Sequence, residues 1–423
     1  MKVFFAVVNI LIIFLLVWRT QPGDKTLRAY YWSGLLLKLM MGIALGLVYT
    51  FYYSGGDTFS FFRDSVQLSQ FARESATGYL NFLWSSDSTV PVWGQLSDHE
   101  PRTLFVVKLL SVVNLISYDN YWISSLYLSI MSFWGAWILF HVMCESVTHE
   151  RVSAAISFLF LPSIVFWTSG IVKESVAMGC LFYLAALVVK GFKQKKWILL
   201  DWLLLPLACW LLWKLKYYFM AVFFPVGVSI ILAQRVSKRY FEGKPRMTLI
   251  FFFCSLVILL VFVTEFHPNF EPGYFQEVIV LNYNDYLKLS DSNDVIHYHD
   301  LTPDTWSMIR NSPLALISGL FRPFIWEPNN PIQVVAGFEN LVILVLFISS
   351  LYQLKRIVSS NDGPLAIAAM VYTVLLCVFL SLSTPNLGTL SRYRVGFLPF
   401  FVFLITFKNP LTDWVVNIIQ KKK

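Results

Sequence analysis

The chain has 423 residues, of which 57% are hydrophobic and only 14% charged, with a mean hydropathy of +0.62. Soluble domains carry about 25% charged residues, so this composition excludes a soluble globular protein. The net charge of +8 points to no nucleic-acid partner either, because the cations are scattered among short connections between apolar runs instead of forming one basic face.

Apolar runs of about 20 residues recur from end to end, each long enough to cross a bilayer as a helix. The alternating strands of a membrane barrel are absent. The fold class expected is an all-α polytopic membrane protein with about 11 transmembrane helices. The spans are 2–18, 30–53, 121–143, 152–169, 174–190, 198–213, 217–233, 247–265, 332–353, 363–381 and 395–408. The first, VFFAVVNILIIFLLVW, runs into RTQPGDK without a small-residue cleavage site and is expected to be a retained helix. The stretch 104–118 is apolar but short and carries Lys108 and Asn114, so it is expected to be re-entrant or interfacial. Residues 1–423 form a single membrane domain in this reading, with extracytoplasmic loops at 54–120, where amphipathic helices are expected, and 266–331. Cys144, Cys180, Cys209, Cys254 and Cys377 lie within or beside apolar segments, which argues against a disulfide framework.

Basic residues cluster at Arg19/Lys25/Arg28, Lys190/Lys193/Lys195/Lys196, Arg235/Lys238/Arg239/Lys244/Arg246, Lys355/Arg356 and Lys421–Lys423, which marks these connections as cytoplasmic. The loop at 54–103 carries Asp57, Asp64, Glu74, Asp87, Asp98 and Glu100 against Arg63, Arg73 and Arg102, and belongs on the other side. With that orientation, the polar helix ends GGD (55–57), SGIVKES (169–175), KLK (214–216), RPFIWE (322–327) and TLSRYR (389–394) all fall on the outer side.

In YYSGGDTFSFFRDS, Gly55 and Gly56 end a helix and permit close backbone approach. An amphipathic helix follows, on which Asp57 and Asp64, seven residues apart, share a face. The competing reading is a capping Asp followed by a solvated one. Lys173 and Glu174 open a helix at the membrane boundary, where adjacent charges need protein or water. They either meet a substrate or snorkel to headgroups. Arg322, Trp326 and Glu327 precede one span, and Arg392, Tyr393 and Arg394 precede the last. The arginine fork suits phosphate, whether on a substrate or on a membrane lipid. His297 and His299 in HYHD suit a solvated loop better than a metal site, and His99 and His267 lack an evident partner. No P-loop or nucleophile-elbow motif occurs.

PSIVFWTSGIVKES, RPFIWE and NLGTLSRYR, together with an Asp just past a helix end in the first large outer loop, resemble segments of bacterial polytopic proteins grouped with the GT-C superfamily of integral-membrane glycosyltransferases. The resemblance implies an inverting glycosyltransferase of the bacterial cytoplasmic membrane with its active site facing outward. The donor it implies is a polyprenyl-phosphate- or polyprenyl-diphosphate-linked sugar, and the acceptor a glycan, lipid or protein hydroxyl. It makes Asp57 the general base, with Asp64 and Glu174 as further carboxylates. Lys173, Arg322, Arg392 and Arg394 then surround the lipid phosphate, with Glu327, Trp326 and Tyr393 beside the sugar. Some members bind a divalent cation, Mg or Mn, through two acids one residue apart; GGDTFSFFRD separates its acids more widely, so no metal ligands are assigned. The competing functions are a polysaccharide polymerase of the O-antigen or capsule kind, then a lipid-linked sugar flippase or transporter, or a non-catalytic membrane assembly subunit.

Overall fold

The computed structural model describes residues 2–53, 55–86, 88–146, 151–265, 271–353 and 360–421. Asp87, His267, Lys355, Arg356, Lys422 and Lys423 lie outside the described residues. Among the described residues the only β-pairing is an isolated bridge between Val295 and Asn386, and the fold is all-α.

The helices in chain order are α1 (Lys2–Thr20), α2 (Lys25–Phe51), α3 (Asp57–Glu74), α4 (Ala76–Ser85), α5 (Pro101–Ser117), α6 (Tyr121–Ser146), α7 (Arg151–Ala155), α8 (Pro162–Trp167) and α9 (Lys173–Phe192). They continue with α10 (Leu199–Phe241), α11 (Pro245–Thr264), α12 (Pro272–Leu289), α13 (Thr305–Phe321) and α14 (Pro331–Ser350). The last four are α15 (Gly363–Ser383), α16 (Leu387–Tyr393), α17 (Leu398–Thr406) and α18 (Pro410–Lys421). Eight of these among the described residues are long and apolar enough to cross a membrane: α1, α2, α6, α9, α10, α11, α14 and α15. The protein is therefore a multi-pass helical membrane protein.

Four expected spans take a different form; the one at 395–408 is a 3₁₀ turn (Arg394–Gly396) followed by the nine-residue α17. Residues 152–169 are divided: α7 passes into a π-helical turn (Ile156–Phe160), and the chain is extended at Leu161 before Pro162 starts α8, as the restriction on a residue preceding proline requires. The spans expected at 198–213 and 217–233 are joined in α10, a 43-residue segment whose two helical arms meet at a kink with a non-helical residue, Lys216 (φ −145°, ψ 65°). Gln194 and Trp202 at its start line the same pocket as Arg235 and Arg239 at its end, so the chain reverses between them, with Lys216 at the break.

The chain folds as two compact units. The first comprises Met1–Trp137, Val165–Phe182 and Leu207–Tyr217; the second comprises Ile138–Ile164, Tyr183–Pro206 and Tyr218–Lys423. In the first unit, α3, α4 and α5 pack around Leu68, Tyr79, Phe82, Leu96, Leu104 and Val107, so the acidic loop has a small core of its own. Helix α5 buries Lys108 and Asn114, and Asn114 Nδ2 donates to Ser65 Oγ at 2.8 Å. It is not among the eight long apolar helices. In the second unit, α12 and α13 contribute Ile279, Tyr283 and Ala315 to a core completed by Ile296, Tyr298 and Leu387. There too the connections 190–196 and 235–239 come together: Lys238 Nζ donates to Gln194 Oε1 at 2.9 Å, and Lys195 Nζ pairs with Glu145 at 3.1 Å.

Within the first unit α6 and α9 meet backbone to backbone. A Cβ added at Gly135 would lie 2.1 Å from the Gly179 carbonyl oxygen, and one at Gly179 would lie 3.0 Å from the Met131 carbonyl. Small residues that let backbones touch are a common device for packing helices in membranes. Gly135→Ala is therefore expected to lower stability by about 1–3 kcal/mol through overpacking. Gly23→Ala, where nothing lies within 4 Å, should leave the unfolding temperature of the detergent-solubilised protein unchanged; equal effects from the two substitutions would contradict the close contact.

Candidate functional site

In the first unit, the GGD segment turns as its composition predicts. Gly55 and Gly56 take φ of 142° and 112°, a region that residues with a Cβ rarely enter, and a Cβ on Gly56 would press on the Tyr49 ring at 2.9 Å. Gly56, not Asp57, is the N-cap of α3, and it makes no side-chain cap bond. Asp57 is instead the first helical residue, exposed, where the N-terminal end of the helix dipole favours a carboxylate.

The structure does not give Asp57 and Asp64 a common environment. Asp64 is 1% exposed and accepts hydrogen bonds from the Ser97 backbone N–H (3.0 Å) and the Ser97 hydroxyl (2.7 Å). It fastens the loop before α5 to α3.

Asp57 lies within electrostatic reach of Lys173. Lys173 Nζ donates to Thr103 Oγ1 at 2.9 Å and stands 3.7 Å from Glu100 Oε2. Its neighbour Glu174 is fully buried and pairs with Lys216 Nζ at 2.8 Å, with Lys216 itself only 5% exposed. Lys173 and Glu174 thus point to different partners, one toward the loop and one into the helical core. Glu100 also caps α5, taking the Thr103 N–H at 2.8 Å and Arg102 Nε at 2.7 Å. Partial burial pushes the Glu100 carboxyl up, but the hydrogen bonds from Arg102 and Thr103 and the charges of Arg102 and Lys173 outweigh it and bring it down to about 2.

In the second unit RPFIWE and SRYR converge. Glu327 closes the turn after α13: its carboxylate takes Arg322 Nη2 at 2.8 Å, Arg322 Nε at 3.1 Å and the Phe324 N–H at 2.7 Å. Arg394 is fully buried. Its Nη1 donates to the Arg322 carbonyl (3.0 Å) and to Asn340 Oδ1 (2.9 Å), and its Nη2 stands 4.0 Å from Glu339 Oε1. Asn340 Nδ2 in turn donates to the Pro323 carbonyl at 2.9 Å, and Glu339 accepts the Ser163 N–H at 2.8 Å. A buried Arg394 braces three segments. Arg322, Glu327, Arg392 and Tyr393 are half-buried and Trp326 is exposed, so these are the groups of that cluster open to a ligand.

Glu339 and Asn340 were not among the residues singled out from sequence; Lys216 figured only in the polar helix end KLK (214–216) and Glu100 only among the acids of the outer loop. Glu339 had a signal: it is the one carboxylate within the apolar stretch 331–350, and an ionisable group at such depth needs a partner. His297 Nε2 contacts the Ser292 carbonyl and His299 pairs with Asp300. Among the described residues no three His, Cys, Asp or Glu side chains gather in a way that could hold a metal ion.

No protein-family model matches the chain, and neither do any curated proteins or solved structures.

Two measurements probe the first-unit cluster. Lys216→Met strands a buried Glu174 and is expected to cost about 3–5 kcal/mol, whereas the double variant Glu174→Gln/Lys216→Met removes both charges and should recover most of it; additive losses in thermal unfolding would refute the pairing. For Glu100, the depressed carboxyl contributes stability that is complete above its ordinary value of 4.5 and disappears as the pH falls toward about 2. Because the group is partly exposed, Glu100→Gln should cost only about 1 kcal/mol at neutral pH. Its unfolding temperature should then converge with that of the unaltered protein below pH 4.5.

Proposed function

We propose that this protein is a glycosyltransferase of the bacterial cytoplasmic membrane acting on the outer face. It moves a sugar from a polyprenyl-phosphate- or polyprenyl-diphosphate-linked donor to an acceptor hydroxyl. The observation that carries this reading is an exposed carboxylate, Asp57, at the head of α3, within electrostatic reach of Lys173 at the head of α9.

Glycosyl transfer builds charge on the departing phosphate while a proton leaves the acceptor. Asp57 takes that proton as the new bond forms from the acceptor oxygen to the anomeric carbon. As the sugar–phosphate bond breaks, the Lys173 ammonium, held by Thr103 and Glu100, stabilises the oxygen that keeps the electron pair. The positive end of α9 adds to the same field. The apolar helices supply the bilayer setting that a polyprenyl tail requires. In this reading the GT-C-like topology has eleven crossings: α10 supplies two, and the segments around α7–α8 and α17 supply one each.

Full-length protein in mixed micelles with radiolabelled polyprenyl-phosphate and polyprenyl-diphosphate sugars should release the polyprenyl carrier. Asp57→Asn should reduce that release by about 10²–10⁴-fold without changing the unfolding temperature, since Asp57 is exposed. Wild-type turnover by Asp57→Asn would remove the carboxylate base. The polymerase reading is favoured by one observation, the meeting of Arg394 with the Arg322 carbonyl and with Asn340 of α14, where Arg394 Nε makes no hydrogen bond among the described residues. It predicts that Arg392→Ala abolishes chain growth on lipid-linked oligosaccharide while Asp57→Asn retains it.

A further inference from the structure

Within the second unit a cavity of about 630 Å³ is lined by Lys195, Lys196, Arg235, Lys238 and Arg239. The proposed sugar transfer makes no use of it. The five cations come from the connection after α9 and from the last turns of α10, and among the described residues no carboxylate lines the cavity. Neighbouring cations are neutralised differently: Lys190 pairs with Asp201 and Lys193 with Asp362. Of the five, Lys195 is offset by Glu145, while Lys238 donates to the neutral Gln194. Like charges facing one cavity repel across distances shorter than the Debye length of about 8 Å, and the arrangement becomes favourable when an anion is shared between them.

The rim identifies the kind of anion. Trp197 and Trp202 lie against each other there, with ring centroids 4.8 Å apart and planes tilted by 50°. Running from that rim along α10 is an exposed apolar edge: Ile198, Leu199, Leu200 and Leu203 are 54–75% exposed. A basic concavity, an aromatic belt and an apolar wall in sequence match an amphiphile with an anionic head and hydrocarbon chains. A soluble phosphate would use only the first.

We propose that this cavity binds the phosphate-bearing headgroup of an anionic membrane phospholipid, with the acyl chains lying along Ile198–Leu203. Each cation near such a headgroup strengthens binding about fivefold.

The test is native mass spectrometry of the full-length protein, titrated with phosphatidylglycerol, with phosphatidylcholine, and separately with inorganic pyrophosphate. The triple variant Lys196→Gln/Arg235→Gln/Arg239→Gln alters exposed side chains only. Phosphatidylglycerol is expected to bind in preference to phosphatidylcholine, and the triple variant to lose roughly 100-fold in that affinity. The wild-type affinity should also fall as salt is raised, a measurement that needs no variant. Equal binding of the two lipids, or undiminished binding by the triple variant, would overturn the site. Pyrophosphate binding as tightly as phosphatidylglycerol would overturn its assignment to a lipid.

Discussion

Backbone N–H and C=O groups buried in an apolar medium find no water, so each must be satisfied within the protein. In a chain this hydrophobic that constraint fixes the all-helical fold and moves the difficulty to the helix ends, where the first N–H groups lack intrahelical partners. Side chains meet it repeatedly. Asp24, Ser75, Glu100, Asp304, Asn330 and Asn386 each accept a backbone N–H at the start of α2, α4, α5, α13, α14 and α16. The polar residues that stand out at helix ends are therefore first of all structural. α3 opens differently: its cap is Gly56, which offers no side chain, and the carboxylate of Asp57 is exposed one position later.

The second constraint is that a charge removed from water needs a partner with compensating charge and hydrogen bonds. Glu174 and Lys216 meet it as a pair at the point where α10 departs from helical geometry. Arg394 meets it with two carbonyl-type oxygens and the more distant Glu339. Such interactions fix where loops and helix ends sit, and a catalytic geometry depends on that positioning. Glu174 and Arg394 accordingly brace their surroundings, whereas Asp57 and Trp326 are exposed and Lys173, Arg322, Glu327, Arg392 and Tyr393 are half-buried.

The apolar runs in the sequence were enough to read the all-α membrane class and the long apolar helices, because hydrophobicity over twenty residues is a local property. The expected separation of 198–213 from 217–233 reflects the kink at Lys216, where the two helical arms of α10 meet. The glycines of GGD were legible for the same local reason. The partnerships were not. Lys173 and Thr103 are 70 residues apart, Arg394 and Asn340 are 54 apart, and Ser163 and Glu339 are 176 apart. Helical periodicity places a side chain on a face, but it carries no information about which remote segment packs there. Asp57 and Asp64 illustrate the limit. Their spacing put both on one face, and the fold of the loop around Ser97 then buried one and left the other exposed.

Charge compensation also separates architecture from recognition in this molecule. In the first unit Lys216 is matched by Glu174, and Lys173 by Glu100 with Asp57 within reach, so that cluster is close to neutral, as folding in a low-dielectric setting demands. In the second unit, the cations after α9 and at the end of α10 face a common cavity whose lining, among the described residues, holds no carboxylate. Folding alone does not favour that arrangement, since dispersed surface lysines would repel one another less. The excess charge becomes favourable only with an external anion. An amphiphile is the anion whose remaining surface matches the tryptophans and exposed leucines beside it.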